Sequence, residues 1–498
     1  VSARIIEWME CLFYQPVRAC RMNRIQSSSD YLRFPVKASW SGNIIIGSLS
    51  LIGFLALWFW FASTSPLSIK ERVPGMDGAP AMASTSGSRT GPEGQLLLSD
   101  GVPADMKGAW PCFRGEHLDN ISQESYRPVP ANAGFIESWG IDVGEGFAGA
   151  AIRDGRVYLL DYDRGKKADA LRCLSLGDGK EIWRYTYPVT IKRNHGMSRT
   201  VPFVTESVVI SLGPKCHVTC LNSTSGEKKW SLDLVQAYGT VVPEWYAGQN
   251  PLIDNGRAIL APGGTALLAA VDVETGGTVW ESSNPHGWKM THSSVVPMDF
   301  NGKRIYIYCA DGGVTGVSAE DGRILWETGE WKIRIANIPS PLVIGDGRIF
   351  LCGGYDTGSL MLKLEENNGT IEPKILYRLP PERFGSTQHT PILYQGYLYG
   401  VRPDGQLVCL DLDGNEKWAS GSANKFGLGS YMIAGTILYV LNDAGLLSRV
   451  EATPDAFRLV DRTEVLHGHE SWGPIAFASG RMIVRDSTRM ICLEVTAK

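Results

Sequence analysis

Residues 255–280 read NGRAILAPGGTALLAAVDVETGGTVW, and this stretch decides the fold. Asn255-Gly256 stands before Ala258, Ile259 and Leu260. Glycine accepts the positive φ of a two-residue hairpin turn, so the pair announces two antiparallel strands. The apolar run ending at Val271 is a second strand. Thr275-Gly276-Gly277 then turns the chain into a return strand that ends on Trp280. A large flat side chain there fills the gap between stacked sheets while its N–H remains available as a donor.

Working outward, both halves of this unit recur. The first half reappears as DGRVY (154–158), NGKRIY (301–306), DGRIF (346–350), QGYLY (395–399), AGTILY (434–439) and SGRMI (479–483). A further copy at Glu206–Ile210 lacks the glycine. The second half reappears before Trp183, Trp230, Trp326 and Trp418. Gly179, Gly226, Gly276, Gly322 and Gly414 each stand four residues before the tryptophan of their copy. Trp139, Trp183, Trp230, Trp280 and Trp326 are spaced by 44, 47, 50 and 46 residues, and the 92 residues to Trp418 span two repeats with Tyr377 in the intervening place. That period, with four short strands per copy, predicts an all-β propeller. Seven blades run from Ala150 to about Leu459. An eighth begins near Gly473 and lacks an outer strand, which Phe135–Val143 supplies, so the ring closes without exposed edges.

The strings around these tryptophans resemble the docking motif of PQQ-like (quinoprotein-like) propellers, with Val271, Asp272, Thr275, Gly276 and Trp280 the nearest match. WD-type repeats fit less well, because none of these tryptophans is followed by Asp. Trp110-Pro111-Cys112-Phe113-Arg114-Gly115 resembles the lead-in of envelope PQQ-like repeat proteins of planctomycete-type bacteria. The resemblance extends to the scaffold lipoprotein of the outer-membrane β-barrel assembly machinery, from which the missing lipid-attachment cysteine separates this sequence. It implies an eight-bladed propeller over 135–498, preceded by a lead-in at 109–134. Active quinoproteins would add PQQ, a divalent ion held by carboxylate and amide oxygens, and often an adjacent-cysteine pair. The sequence has no Cys-Cys pair and no transferable ligand set, so no cofactor or metal is expected.

Residues 43–62, NIIIGSLSLIGFLALWFWFA, carry no charge and are long enough to cross a bilayer as a helix. Six cationic residues against three acidic ones precede them, which orients a basic tail (1–42) to the cytoplasm and the propeller to the periplasmic, extracytoplasmic side. The Ser/Gly/Pro-rich segment 63–108 reads as a flexible linker. A net charge of −4, with both signs interspersed, disfavours nucleic-acid binding. Cysteines 173, 220, 409 and 492 recur at one repeat position and read as small buried side chains rather than disulfide partners.

The connections between blades converge on one mouth of such a ring, and here they are rich in ring and cationic side chains. They carry Arg193, His195 and Arg199, then Trp245, then His286, Trp288, Lys289 and His292. Further round come Trp331, Arg334, Arg383, His389, His467, His469 and Trp472. This composition suits a funnel for an anionic or aromatic ligand or a peptide. No Gly-x-Ser-x-Gly elbow, His-Glu-x-x-His helix or phosphate-cradling loop is present in the sequence. The expectation is a non-catalytic membrane-tethered scaffold or binding module with an envelope protein partner. The alternatives are a PQQ-dependent dehydrogenase with calcium and a carbohydrate- or cell-wall-binding propeller.

Overall fold

A computed structural model describes residues 90–497 and six helical positions, Leu51, Gly53, Phe54, Leu55, Trp58 and Phe59. The chain divides into two units, Val1–Glu71 and Arg72–Lys498. In the first, the five described apolar side chains are all exposed on helical backbone. Among the described residues no helix is long and apolar enough to cross a membrane. The expected basic tail, most of the anchor and residues 63–89 lie outside the described residues.

In the second unit eight antiparallel sheets follow one another in chain order. Blade one runs from Ala150–Arg153 to Glu181–Pro188, blade two from Phe203–Val204 to Lys228–Asp233, and blade three from Leu252–Asp254 to Thr278–Ser283. Blade four spans Val296–Phe300 to Ile324–Thr328, blade five Leu342–Gly345 to Thr370–Leu379, and blade six Ile392–Tyr394 to Glu416–Ala419. Blade seven spans Tyr431–Ala434 to Leu459–Glu464. Blade eight holds Ala476–Ala478, Arg481–Arg485 and Arg489–Glu494, and takes Ile136–Asp142 as its outer strand, with Trp139 opposite Cys492.

The repeat logic is visible in the register. In every blade the outer strand pair carries an irregularity beside the docking residue, and blade three carries a second: Cys173 faces Trp183, Cys220 faces Trp230, and Cys409 faces Trp418. The extra residue twists the outer strand and tips its aromatic ring towards the next blade. There the ring lies against the turn glycine, so tightly that a Cβ on Gly226 would stand 2.7 Å from Trp183 and one on Gly276 2.7 Å from Trp230. The indole N–H groups of Trp139, Trp230, Trp280 and Trp418 donate to Leu176, Val273, Ala319 and Thr453 carbonyls of the following blade. Tyr377 stands in the same register opposite Met361 and donates through its hydroxyl to Leu412 O.

Blade seven has no aromatic residue at this position. Asp461 stands there opposite Arg449, and the two form a buried, two-point ion pair. Arg449 also donates to Val129 O (2.6 Å) and Pro130 O (3.0 Å), and Asp461 accepts from Asn132 N (2.8 Å). The lead-in segment is thus bound where the repeat lacks its docking ring.

The expected linker boundary at 108 is corrected by the structure. From Thr90 onward the chain is fixed on the propeller: Thr90 bridges Leu232, and Gln95–Leu98 adds a strand to the outer edge of blade one, Leu98 opposite Trp183. The physical reason is local. Leu96-Leu97-Leu98 interrupts the polar composition, and the outer edge of blade one offers unpaired backbone groups that a short strand satisfies.

Candidate functional site

One mouth of the ring is closed by the lead-in. Ala109–Trp110 pairs with the inner strand of blade one, Pro111 O accepts from Val204 N in blade two, and Ile121–Ser122 runs parallel to the inner strand of blade seven. Between these anchors Arg114 is buried at 3% exposure. Its guanidinium donates to Leu118 O (2.7 Å), Thr390 O (2.8 Å) and Pro391 O (3.2 Å). Burial pulls its pKa down to about 10, so it stays charged, satisfied by carbonyls alone. Arg114→Ala removes the donor from three acceptors. The expected cost is about 2 kcal/mol, read from urea denaturation at neutral pH. A loss indistinguishable from zero would show that the lead-in does not brace the ring.

Above this floor a belt of hydrogen bonds fixes the starts of the inner strands. Val201 N donates to Asn250 Oδ1 (2.7 Å), Asn250 N to Ser294 Oγ (3.0 Å), Ser294 N to Ser340 Oγ (3.1 Å) and Ser340 N to Thr390 Oγ1 (2.8 Å). Blades two to six are thereby tied circumferentially. The residues just before this belt face the open side.

They enclose a cup of about 380 Å³ with Phe113 of the lead-in in its lining. Of the fifteen funnel residues expected from the sequence, the structure brings together His195, Arg199, Trp245, His292, His389 and Trp472. Phe113, Phe147, Asn250, Tyr355 and Gln388 join them and were not foreseen. Phe147 lies in the segment just before the first blade, and Tyr355 in a turn within blade five, so neither belongs to the connections searched.

The other nine lie elsewhere. Trp331 is 2% exposed in the core between blades four and five, and Trp288 closes over Gly312 and Gly313. Arg193 pairs with Glu145 at 2.7 Å, and His286 pairs with Glu327 at 2.5 Å while stacking on Trp288. Lys289, Arg334, Arg383, His467 and His469 are exposed outside the cup lining.

Within the cup the rings are held, not loose. Phe147 packs on Trp472 with centroids 5.1 Å apart, and the Trp472 indole donates to Asp443 Oδ1 at 2.8 Å. Arg199 lies 5.3 Å over the Phe147 ring. It donates from Nε to Trp245 O (2.6 Å) and from Nη2 to Asn194 O (2.9 Å) and His195 O. Burial lowers its pKa to about 10. His292 bonds through Nε2 to Tyr246 O (2.9 Å), and enclosure together with the Arg199 charge lowers its pKa to about 4. His389 is brought to about 4 by burial, and its Nε2 has no hydrogen-bond partner. Both imidazoles are therefore neutral at pH 7.

A quinone cofactor with three carboxylates and a divalent ion needs a cage of oxygen ligands for the ion. No Asp or Glu is among the cup's lining residues, and no group of three His, Cys, Asp or Glu side chains able to hold a metal occurs among the described residues. One arginine, imidazoles and amides do not fit that pair.

Eight four-stranded blades, docking rings and a cup floored by the lead-in define a PQQ-like propeller. The family model described as outer membrane protein assembly factor BamB matches residues 166–420, just over half of the sequence, and the chain belongs to that family. The crystal structure of BamB from Moraxella catarrhalis aligns with a TM-score of 0.51 at 14% identity, covering 72% of this chain and 99% of that one. The computationally designed Ika8 protein aligns at 0.47 and 10% identity, over 75% of this chain and 98% of that one. A europium-containing methanol dehydrogenase aligns at 0.44 and 8% identity, over 78% and 98%. A search of curated proteins finds no match.

Proposed function

We propose that the protein is a non-catalytic envelope scaffold. Its apolar segment 43–62 anchors it in the membrane, and the propeller stands outside the cytoplasm and presents its cup and rim to an envelope protein partner. The observation that carries this reading is the donor set of the cup. Aromatic rings, imidazoles and one arginine, with no carboxylate among them, suit recognition of a ligand. Membership of a family described as assembly factors supports the partner's being a protein, and the exposed apolar helical positions at Leu51, Phe54, Leu55, Trp58 and Phe59 support the anchor.

The test places a photo-crosslinking residue at Arg334 and, separately, at Arg383 in the full chain, in its native cells. One discrete membrane or envelope protein crosslinked from these rim positions supports the scaffold. In parallel, the purified full chain is mixed with PQQ and calcium and assayed for dye reduction with alcohols and sugars. Saturable binding with turnover would overturn the reading.

A further inference from the structure

Among the described residues Arg199 has donors to spare. Its Nε and Nη2 are used on backbone carbonyls, no hydrogen bond is made by Nη1, and no carboxylate pairs with it. Glu470 is near enough to act on its charge but forms no ion pair with it. A single guanidinium held beside aromatic rings and without a counter-ion is half of a charge-assisted pair. His389, 9% exposed, lines the same cup with its Nε2 buried away from it. Trp245, Trp472, Phe147 and Tyr355 supply flat apolar walls.

Resting on the scaffold reading, we propose that the cup binds one carboxylate carried on an aromatic body. Arg199 Nη1 donates to the carboxylate, and the rings stack on the body. One positive charge matches one carboxylate, and a cavity of about 380 Å³ admits one aromatic residue with a short extension. Two sources share this chemistry: a free aromatic acid, and the last residue of a polypeptide with an aromatic side chain.

The experiment follows the tryptophan emission of the full chain in detergent, because Trp245 and Trp472 line the cup. The probes are N-acetyltyrosine, its amide, and a tetrapeptide ending in tyrosine as free acid and as amide. Both acids should bind saturably, each about tenfold or more tighter than its amide, since a charged hydrogen bond is lost with the carboxylate. Arg199→Gln should abolish that preference. Tyr355→Asn, at an exposed turn position with φ 54°, should weaken both acids several-fold while leaving the fold intact. A tighter tetrapeptide acid identifies a chain end as the source, and equal affinities identify the free acid. Equal binding of acids and amides, or no binding by any probe, overturns the inference. Rim crosslinks that persist in that case leave the scaffold standing, so the two failures are distinct.

Discussion

Asp461→Ala is expected to lower the unfolding free energy by about 3–5 kcal/mol, because it leaves a buried guanidinium without its counter-charge. Arg449 is 2% exposed, and Asp461 opposite it holds the position that an aromatic ring occupies in the other blades. In those blades the ring reaches the next blade. In blade seven the ion pair reaches the lead-in, through Val129 O, Pro130 O and Asn132 N. The loss should therefore be local before it is global. Backbone amides of 126–135 should exchange faster with solvent, while those of blade three remain protected. The double variant Arg449→Met/Asp461→Leu should recover much of the loss, since an apolar pair of similar size carries no desolvation cost. Urea denaturation with hydrogen exchange checks all three statements. A single-variant loss below about 1 kcal/mol would mean that Arg449 is satisfied by the lead-in carbonyls and the nearby Phe135 ring without Asp461.

The same position explains how much was legible beforehand. Gly276 and Trp280, read together, imply a docked ring under a turn, and the geometry at Trp139, Trp230 and Trp280 follows from that spacing. Tyr377 is readable as a substitute because its hydroxyl can donate as an indole N–H does. Arg449 and Asp461 carry no such signal, since nothing in the sequence marks an arginine that meets an aspartate across a strand pair. Trp326 is a different failure. Its neighbouring blade has a hairpin of ten-residue strands whose turn glycine, Gly369, meets no ring, and the Trp326 indole N–H, like that of Trp183, has no acceptor.

The funnel shows the limit of composition. Sequence assigns a residue to a connection but not to a depth within it. His292 and Trp288 share one connection, yet one lines the cup and the other caps Gly312 and Gly313. The floor was hidden for a related reason. Trp110–Gly115 is recognisable as a lead-in, but the route that carries Phe113 and Arg114 across the ring depends on anchors in blades one, two, six and seven. Those anchors all end on backbone groups of the blades, which leave no trace in residue type.

Asp169→Asn is expected to stabilise the protein at pH 8 and to change the shape of its pH profile. Asp169 is fully buried in blade one, Tyr187 Oη donates to its Oδ2 at 2.5 Å, and its Oδ1 has no partner. Burial, with Asp161 adding to it, pushes its pKa up to about 7. The unfolded carboxyl titrates near 4, so between about pH 4 and 7 the folded state holds more protons and stability falls as pH rises. The full penalty is about 4 kcal/mol above pH 7. Asparagine keeps the acceptor for Tyr187 and cannot ionise, but its amide brings donors to the site of the unpartnered Oδ1. A net gain of about 2 kcal/mol at pH 8 is expected, with no gain at pH 4. His389 and His292 act in the opposite sense. Each is held near 4 against about 6.5 when unfolded, so the unfolded state binds more protons in that window and stability rises with pH. In the wild type the two slopes oppose each other between about pH 4 and 6.5. In Asp169→Asn only the histidine slope remains, so its urea midpoint should climb more steeply from pH 4.5 to 6 and then level off. Midpoints of both proteins at pH 4.5, 6 and 8 decide it, and parallel profiles would show that Asp169 ionises in the folded state near its ordinary pKa.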